Sequence, residues 1–222
     1  MTKLKVGVLA SGGGTDLQSI INASEKNMID AEVVVVVSDN KDAFALKRAE
    51  KHKIKSYFID PTGKEKQDFD KEIDEVFEKQ RVGLIVGAGY MRILTPCFVK
   101  KWYGKIINIH PSLLPSFKGA NGQGDALSYG VKISGCTTHF MDDQMDHGPI
   151  ILQASVKVMP DDSRDKLANR ILDVEHQILP RTVQLFAEGR LKIKGRKVII
   201  KKGDSWKDKY KVFEGVLYSE GY

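Results

Sequence analysis

Two polar side chains interrupt an apolar segment near the middle of the sequence. Asn108 and His110 lie in IINIHPSLLPSF (residues 106–117), and two prolines follow them. Because side chains two positions apart on a strand share one face, the amide and the imidazole are predicted to project together. An amide N–H stabilises a developing oxyanion, and an imidazole moves protons near neutral pH.

A carboxylate that could serve this pair is Asp146, in MDDQMDHGPI (residues 141–150). A carboxylate orients an imidazole and favours its charged form. The three side chains predict acyl-type group transfer without a covalent enzyme intermediate. The alternative is that they serve only a strand end and a turn. Asp142 and Asp143 compete for the carboxylate role, and His139, inside a strand pattern, is interpreted as structural.

A glycine-rich turn, SGGGTDLQ (residues 11–18), separates the first predicted strand from the first helix. Three glycines let the backbone approach a ligand closely, and a helix N-terminus attracts phosphate. Thr15 and Gln18 have the spacing of a capping box. The turn is predicted to bind phosphate, with a plain tight turn as the alternative. Asp16 complicates the prediction, because a carboxylate pointing at the same place would repel the anion.

Strand-like and helix-like segments alternate along the chain, and five consecutive valines (residues 33–37) indicate a strand buried on both faces. This alternation predicts an α/β fold with an open, mostly parallel twisted sheet, helices on both faces, and antiparallel strands toward the C-terminal part. Ligands bind beyond the carboxyl ends of such strands. A helix over Ser163–Glu188 is predicted to break or kink near Leu179 because of Pro180. A hairpin is expected to turn near Gly195.

Composition narrows the possible functions. The net charge is +6, but residues 190–211 alone contribute +8, so the basic character belongs to one segment and does not predict a nucleic-acid surface. The two cysteines form no disulfide framework and indicate a cytoplasmic protein. The His and Cys spacing predicts no metal site. No apolar run approaches the ~18 residues of a membrane span, and the N-terminus has no signal-peptide layout.

Five motifs together carry a resemblance to a known family. They are SGGGTDLQ, GYMRILTP, INIHPSLLPSFKG, SGCTTHFMDDQMDHGPIILQ and VEHQILP, in this order between residues 5 and 202. The sequence resembles the folate-dependent formyltransferases, and within them the phosphoribosylglycinamide formyltransferases of purine synthesis. The resemblance implies transfer of a formyl group from 10-formyltetrahydrofolate, as co-substrate, to the amine of phosphoribosylglycinamide through a tetrahedral intermediate.

The resemblance also implies roles for individual residues. Asn108 would donate to the oxyanion, His110 would support the intermediate and transfer protons, and Asp146 would hold the imidazole in its useful state. The residues implied in binding the ribonucleotide are Gly12, Gly13, Gly14, Thr15, Asp16 and Glu175. Those implied in binding folate are Lys66, Met91, Arg92, Ile93, Leu94 and Asn108. Core packing remains the alternative for Ile93 and Leu94.

The chain departs from the family pattern at two places. Many members have Asn where Asp16 stands, and GANGQGDAL (residues 119–127) lacks histidines that some members carry. Contacts of both segments with the substrate are therefore open.

Residues 1–202 are expected to form the formyltransferase domain, and residues 203–222 a tail of unknown role. A monomer or homodimer acting on small molecules, without nucleic acid or membrane, is expected. One alternative is another 10-formyltetrahydrofolate enzyme, such as a methionyl-tRNA formyltransferase, which would have an additional C-terminal domain, or a deformylase, which would have an additional N-terminal domain. The other alternative is a non-enzymatic nucleotide- or RNA-binding module.

Overall fold

The computed structural model describes residues 2–203 and 216–219. Within them, strands β1 to β10 span Leu4–Leu9, Ala31–Ser38, Lys55–Phe58, Leu84–Gly87, Ile106–His110, Ile133–Phe140, Ile150–Lys157, Leu191–Lys194, Lys197–Ile200 and Leu217–Tyr218. Helices α1 to α6 span Thr15–Glu25, Phe44–Lys51, Lys66–Lys79, Pro96–Lys101, Gly122–Tyr129 and Arg164–Ala187. The sequence did not predict the short helices α4 and α5.

The strands form one mixed sheet in the order β3-β2-β1-β4-β5-β6-β7-β9-β8, and β10 pairs with β7. The first five strands are parallel, whereas β6 is antiparallel to both β5 and β7. The predicted fold class, a Rossmann-like sheet with antiparallel strands toward the C-terminal part, is confirmed. From β1 the chain adds β2 and β3 toward one edge of the sheet, and it then continues with β4 and β5 on the other side of β1. Because the direction of the strand order reverses between β1 and β4, a crevice is expected at the carboxyl ends of these two strands.

Two hydrophobic cores lie on opposite faces of the sheet. One core contains apolar residues of α1, α2 and α6, and the other contains those of α3 and α4. The valine run serves both, because Val33 and Val36 belong to the first core whereas Val35 and Val37 belong to the second. A strand covered on both faces needs apolar side chains at successive positions, which explains the unbroken run.

The capping-box prediction at Thr15 is wrong. The residue before α1 is Gly14, in the left-handed region with φ 67°, and no side chain caps the helix. Thr15 is already helical, and the Gln18 amide instead donates to Asn22 Oδ1 at 2.9 Å and accepts from Arg48 at 3.1 Å. The helix begins where the sequence indicated, but a glycine precedes it instead of a capping side chain. Its first N–H groups therefore have no side-chain cap.

The predicted break near Leu179 is also wrong. Helix α6 continues through Pro180, which is itself buried. Proline removes one backbone donor from the helix, but α6 packs along α1, β6 and β7 over this stretch. Thr182 Oγ1 also donates to the Ile178 carbonyl oxygen at 2.7 Å in the same turn. Tertiary packing therefore overrides the local preference.

The C-terminal hairpin is confirmed, since β8 and β9 pair antiparallel around Gly195. In the tail, Tyr218 lies in β10 and its hydroxyl donates to Gln177 Oε1 at 2.8 Å. This short segment docks on the body of the protein. The rest of the tail, residues 204–215 and 220–222, lies outside the described residues.

Candidate active site

The two polar residues of the apolar segment lie at the carboxyl end of β5. Asn108 pairs with His139 on β6, and His110 pairs with Thr137. Both Asn108 and His110 line one cleft of about 470 Å³. The period of two along a strand thus places them on the same face, as the spacing predicted.

The imidazole of His110 is held from two sides and is only 4% exposed. Its Nε2 lies 2.9 Å from the Phe117 carbonyl oxygen, and its Nδ1 lies 3.4 Å from Asp146 Oδ2. Because a carbonyl oxygen only accepts, Nε2 must carry the hydrogen of that bond. The other ring nitrogen, Nδ1, faces the Asp146 carboxylate.

Asp146 is presented by a tight turn between β6 and β7. Its backbone is in the left-handed region, with φ 49°, and its Oδ2 accepts from the Gly119 N–H at 2.8 Å. Gly148 lets the turn fold against the end of β6, since a Cβ there would lie 1.8 Å from the Phe140 carbonyl oxygen. The carboxylate therefore joins the turn, the loop before α5 and the imidazole.

A second histidine also lies in this cluster. His139 Nδ1 is 2.9 Å from the Phe140 carbonyl oxygen, and its Nε2 is 3.3 Å from Asn108 Nδ2 and 3.9 Å from Asp146 Oδ1. Burial lowers its pKa, so the ring is neutral, with the hydrogen on Nδ1 and a lone pair toward the Asn108 amide. His139 therefore accepts a hydrogen bond from the Asn108 amide, which lines the cleft. The sequence did not reveal this contact.

Five of the six residues predicted to bind folate line the same cleft, namely Met91, Arg92, Ile93, Leu94 and Asn108. Met91 and Ile93 are 64% and 60% exposed, so they offer an apolar wall, whereas Leu94 is 4% exposed and also packs in the second core. The core-packing alternative thus applies to Leu94. Lys66 begins α3 and is not among the residues lining this cleft.

The loop after β4 that carries these residues is anchored at both ends. The Thr95 N–H donates to the buried carboxylate of Asp70 at 2.6 Å. At the other end, Met91 donates its N–H to Ser11 Oγ at 2.9 Å, and Ser11 donates its own to the Gly89 carbonyl oxygen at 3.1 Å. The glycine-rich turn and the wall of the cleft are therefore one connected unit.

The glycine-rich turn leaves open space above the start of α1. A Cβ on Gly12 or Gly13 would meet nothing within 4 Å, whereas one on Gly14 would lie 2.8 Å from Ala45 Cβ. Arg48 fixes the turn from α2 by donating to the Gly13 carbonyl oxygen at 2.8 Å. The first N–H groups of a helix have no partner inside it, so this open helix start can bind an anion.

Two carboxyl groups are buried directly behind that helix start. Asp16 in α1 is 9% exposed, and Glu175 in α6 is 4% exposed. Burial raises the pKa of Asp16 to about 7, and burial together with the charge of Asp16 raises the pKa of Glu175 well above its usual value. Thr15 lines a separate cavity of about 430 Å³ together with Arg48 and His176.

The sequence also missed a contact between the C-terminal hairpin and the turn that carries Asp146. His147 Nδ1 lies 2.7 Å from Asp142 Oδ2, and Arg196, at the hairpin turn, donates to the His147 carbonyl oxygen. Asp142, which the sequence left as a rival carboxylate, therefore pairs with His147 and not with His110.

Other classes of site find no support among the residues described. Residues 2–203 and 216–219 contain no group of three His, Cys, Asp or Glu side chains placed to hold a metal ion. None of the described helices is long and apolar enough to cross a membrane. Cys97 is exposed, Cys136 is buried, and both are free thiols.

Comparison with known proteins gives a consistent result. The family model described as formyl transferase matches residues 4–183. Phosphoribosylglycinamide formyltransferase of Haemophilus influenzae is 41% identical over 191 residues, which cover 86% of this chain and 90% of that protein. The trifunctional purine biosynthetic protein adenosine-3 of Gallus gallus is 45% identical over 192 residues, covering 86% of this chain and 19% of that protein.

Among solved structures, glycinamide ribonucleotide transformylase 1 from Symbiobacterium toebii matches with a TM-score of 0.89 and 42% identity, covering 90% of this chain and 95% of that chain. The chain thus spans about a fifth of the trifunctional relative but nearly the whole of the single-function bacterial ones.

Proposed function

The chain belongs to the formyl transferase family, and we propose that it transfers the formyl group of 10-formyltetrahydrofolate to the amine of N1-(5-phosphoribosyl)glycinamide in purine biosynthesis. The convergence of Asn108, His110 and Asp146 in one cleft carries this proposal. The Haemophilus influenzae relative is named a phosphoribosylglycinamide formyltransferase, and the Symbiobacterium toebii structure is named a glycinamide ribonucleotide transformylase. The glycine-rich turn, tied to that cleft through Ser11, supplies a second substrate site close to the first.

The proposed mechanism is direct attack of the substrate amine on the formyl carbon. A new C–N bond forms, the carbonyl oxygen becomes an oxyanion, and the free N–H of the Asn108 amide donates to it. His110, with Nδ1 toward Asp146, supports the negative intermediate and gives a proton to the folate nitrogen as the bond between that nitrogen and the formyl carbon breaks. The oxyanion returns to a carbonyl oxygen in the same step. The attacking amine loses one proton in the reaction, and this proton returns to the imidazole. Asp146 stabilises the imidazole while it is charged.

Each substrate has a proposed place. The phosphoribosyl group is proposed to bind at Gly12, Gly13, Gly14, Thr15 and Asp16, with Glu175 meeting the ribose. The pterin is proposed to bind along Met91, Ile93 and Leu94, where apolar side chains and loop backbone can read a heterocycle. Arg92, whose guanidinium packs 4.9 Å from the centre of the Phe69 ring, is proposed to meet the anionic glutamate of the folate, with Lys66 as a more distant cation.

The proposal includes the setting of the enzyme. Residues 1–202 are proposed to form the catalytic domain, with residues 203–222 as an appended tail. Two free cysteines suit a cytoplasmic location. The co-substrate is 10-formyltetrahydrofolate, no metal is invoked, and the partners are small molecules taken up by a monomer or homodimer.

The test is an assay with phosphoribosylglycinamide and 10-formyltetrahydrofolate, run beside initiator methionyl-tRNA as the rival acceptor. Formyl transfer to the ribonucleotide alone is expected. Asn108→Ala, His110→Ala and Asp146→Ala are each expected to lower kcat by about 10²–10⁴-fold while circular dichroism stays unchanged. Asp60→Asn, at an exposed carboxylate in a distant loop, is the matched control. Unchanged turnover in all three variants would refute the mechanism.

A further inference from the structure

The buried acids behind the glycine-rich turn are the feature that the proposed mechanism does not use. Asp16 is the second residue of α1, whose N-terminus is proposed to hold the substrate phosphoryl group. A charged carboxylate at that position would repel a dianion bound to the same helix start. An anion site with an ionised acid in its first turn is electrostatically inconsistent unless the acid is neutral when the anion binds.

The surroundings of Asp16 supply no obvious counter-charge. Its Oδ1 is fully buried and, among the described residues, has no hydrogen-bond partner. His176 Nε2 lies 3.9 Å from that atom and is equally without a hydrogen bond in the described part of the chain. Burial lowers the pKa of His176, so the ring is uncharged at neutral pH.

The other titratable groups around the carboxyl come from three elements. Glu175 is buried on α6, the helix that packs on α1, and burial and the charge of Asp16 raise its pKa well above the usual value. Cys136 on β6 is close enough for both acids to raise its thiol pKa further. Arg48 on α2 is occupied with the Gly13 carbonyl oxygen and with Gln18. The cluster therefore favours retention of a proton over a full ion pair.

We propose that Asp16 is a specificity-determining residue, and that its buried carboxyl holds a proton when the phosphoryl group of the substrate is bound. In that state the Asp16 carboxyl is neutral and adds a hydrogen-bond donor to the free N–H groups of α1. This inference rests on the proposed function, since it concerns the same phosphoribosyl site. Phosphate binding and proton uptake by Asp16 then become one linked equilibrium.

Burial raises the pKa of Asp16 to about 7, so the affinity for the phosphoryl group is expected to begin to depend on pH near this value. Below this pH Asp16 already holds its proton, and binding needs no further proton uptake. Above it, each pH unit costs about tenfold in affinity, because the proton must be taken up with the ligand. Asp16→Asn keeps the shape and the donor but removes the titration, so its affinity is expected to lack this dependence.

The experiment is isothermal titration calorimetry of the full chain with ribose 5-phosphate, from about pH 6 to about pH 8.5. This probe lacks the reacting amine, so it reports on the phosphoribosyl site without formyl transfer. We compare wild type, Asp16→Asn and Glu175→Gln. Asp165→Asn, an exposed acid in the first turn of α6, serves as the matched control. The ratio of the Kd of wild type to that of Asp16→Asn cancels the ionisation of the ligand itself.

The expected result is a ratio that is flat below about pH 7 and rises about tenfold per unit above it. Asp165→Asn should follow wild type. Titration of wild type in two buffers of different ionisation enthalpy should show uptake of close to one proton at about pH 8, which needs no variant to fold.

A flat ratio across the range, or no proton uptake by wild type, overturns the inference. Absence of ribose 5-phosphate binding at every pH overturns it too. In that case the formyl-transfer assay shows whether the proposed function fails with it or stands alone.

Discussion

Replacing Asp16 by Asn is predicted to stabilise the fold in a pH-dependent way. Burial raises the pKa of this carboxyl from 3.8 to about 7. Between these two values the folded state binds more protons than the unfolded state, so the stability of the wild type falls as pH rises. The contribution of the protonated acid is fully present below about pH 4 and is lost by about pH 7.

The size of the effect follows from the same shift. A rise of roughly three pKa units corresponds to roughly 4 kcal/mol at 1.36 kcal/mol per unit. Because the Asn amide has no charged form, Asp16→Asn avoids this loss. The variant is therefore expected to exceed wild type in free energy of unfolding by roughly 4 kcal/mol at about pH 8, and to match it near pH 4.

The assay is chemical denaturation of both proteins at a series of pH values, followed by circular dichroism. Asp60→Asn is the opposite-sign control. The exposed Asp60 carboxylate accepts from the Thr62 N–H at 2.9 Å, and this bond lowers its pKa. Its stabilisation is present above the usual Asp pKa and is lost as pH falls, so Asp60→Asn should be the less stable protein at neutral pH only.

A constant difference between Asp16→Asn and wild type across the pH range would refute the reasoning. A difference that grows toward low pH would do so as well, since it would mean that the ionised acid is the stabilising form. Equal m-values in the two proteins are required for the comparison, because a changed slope would indicate a changed denatured state.

Three further outcomes are expected. Asp70→Ala leaves the Thr95 N–H without its acceptor, so the fold should lose about 1–3 kcal/mol and the KM for folate should rise more than kcat falls, as steady-state kinetics would show. Arg196→Ala removes the donor to the His147 carbonyl oxygen, so kcat should fall several-fold, and Arg196→Lys should recover part of the loss. If both variants had the kcat and the pH profile of wild type, Arg196 would have no positioning role. In the native protein an aromatic disulfide reagent should react quickly with one thiol, because Cys97 is exposed whereas burial raises the pKa of the Cys136 thiol. Rapid reaction of two thiols would contradict the burial of Cys136.

The sheet could be predicted from the sequence because its signals are local. The run of valines and the alternation of strands with helices require only neighbouring residues, and both were confirmed. The shared face of Asn108 and His110 follows from the strand period alone. Their catalytic roles, and those of the proposed binding residues, stay predictions.

The error at Pro180 and two of the missed contacts have a common cause in long-range contacts. The continuation of α6 through Pro180 depends on packing against α1 and the sheet. The contact of His139 with Asn108 depends on the register between β5 and β6, and that of Arg196 with His147 joins residues 49 positions apart. No pattern in a short window of sequence contains these distances.

The burial of Asp16 belongs to the same class, and it links stability to binding. From the sequence alone, Asp16 is an acid in a first helical turn, where the helix dipole stabilises a negative charge. In the structure α6 packs on α1, and both Asp16 and Glu175 are buried. The stability that is lost when this buried acid ionises is typical of functional sites. If one proton governs both effects, the pH at which wild type has lost its excess stability must equal the pH at which its affinity for ribose 5-phosphate begins to fall, at about 7. Two separate values would assign the effects to different groups.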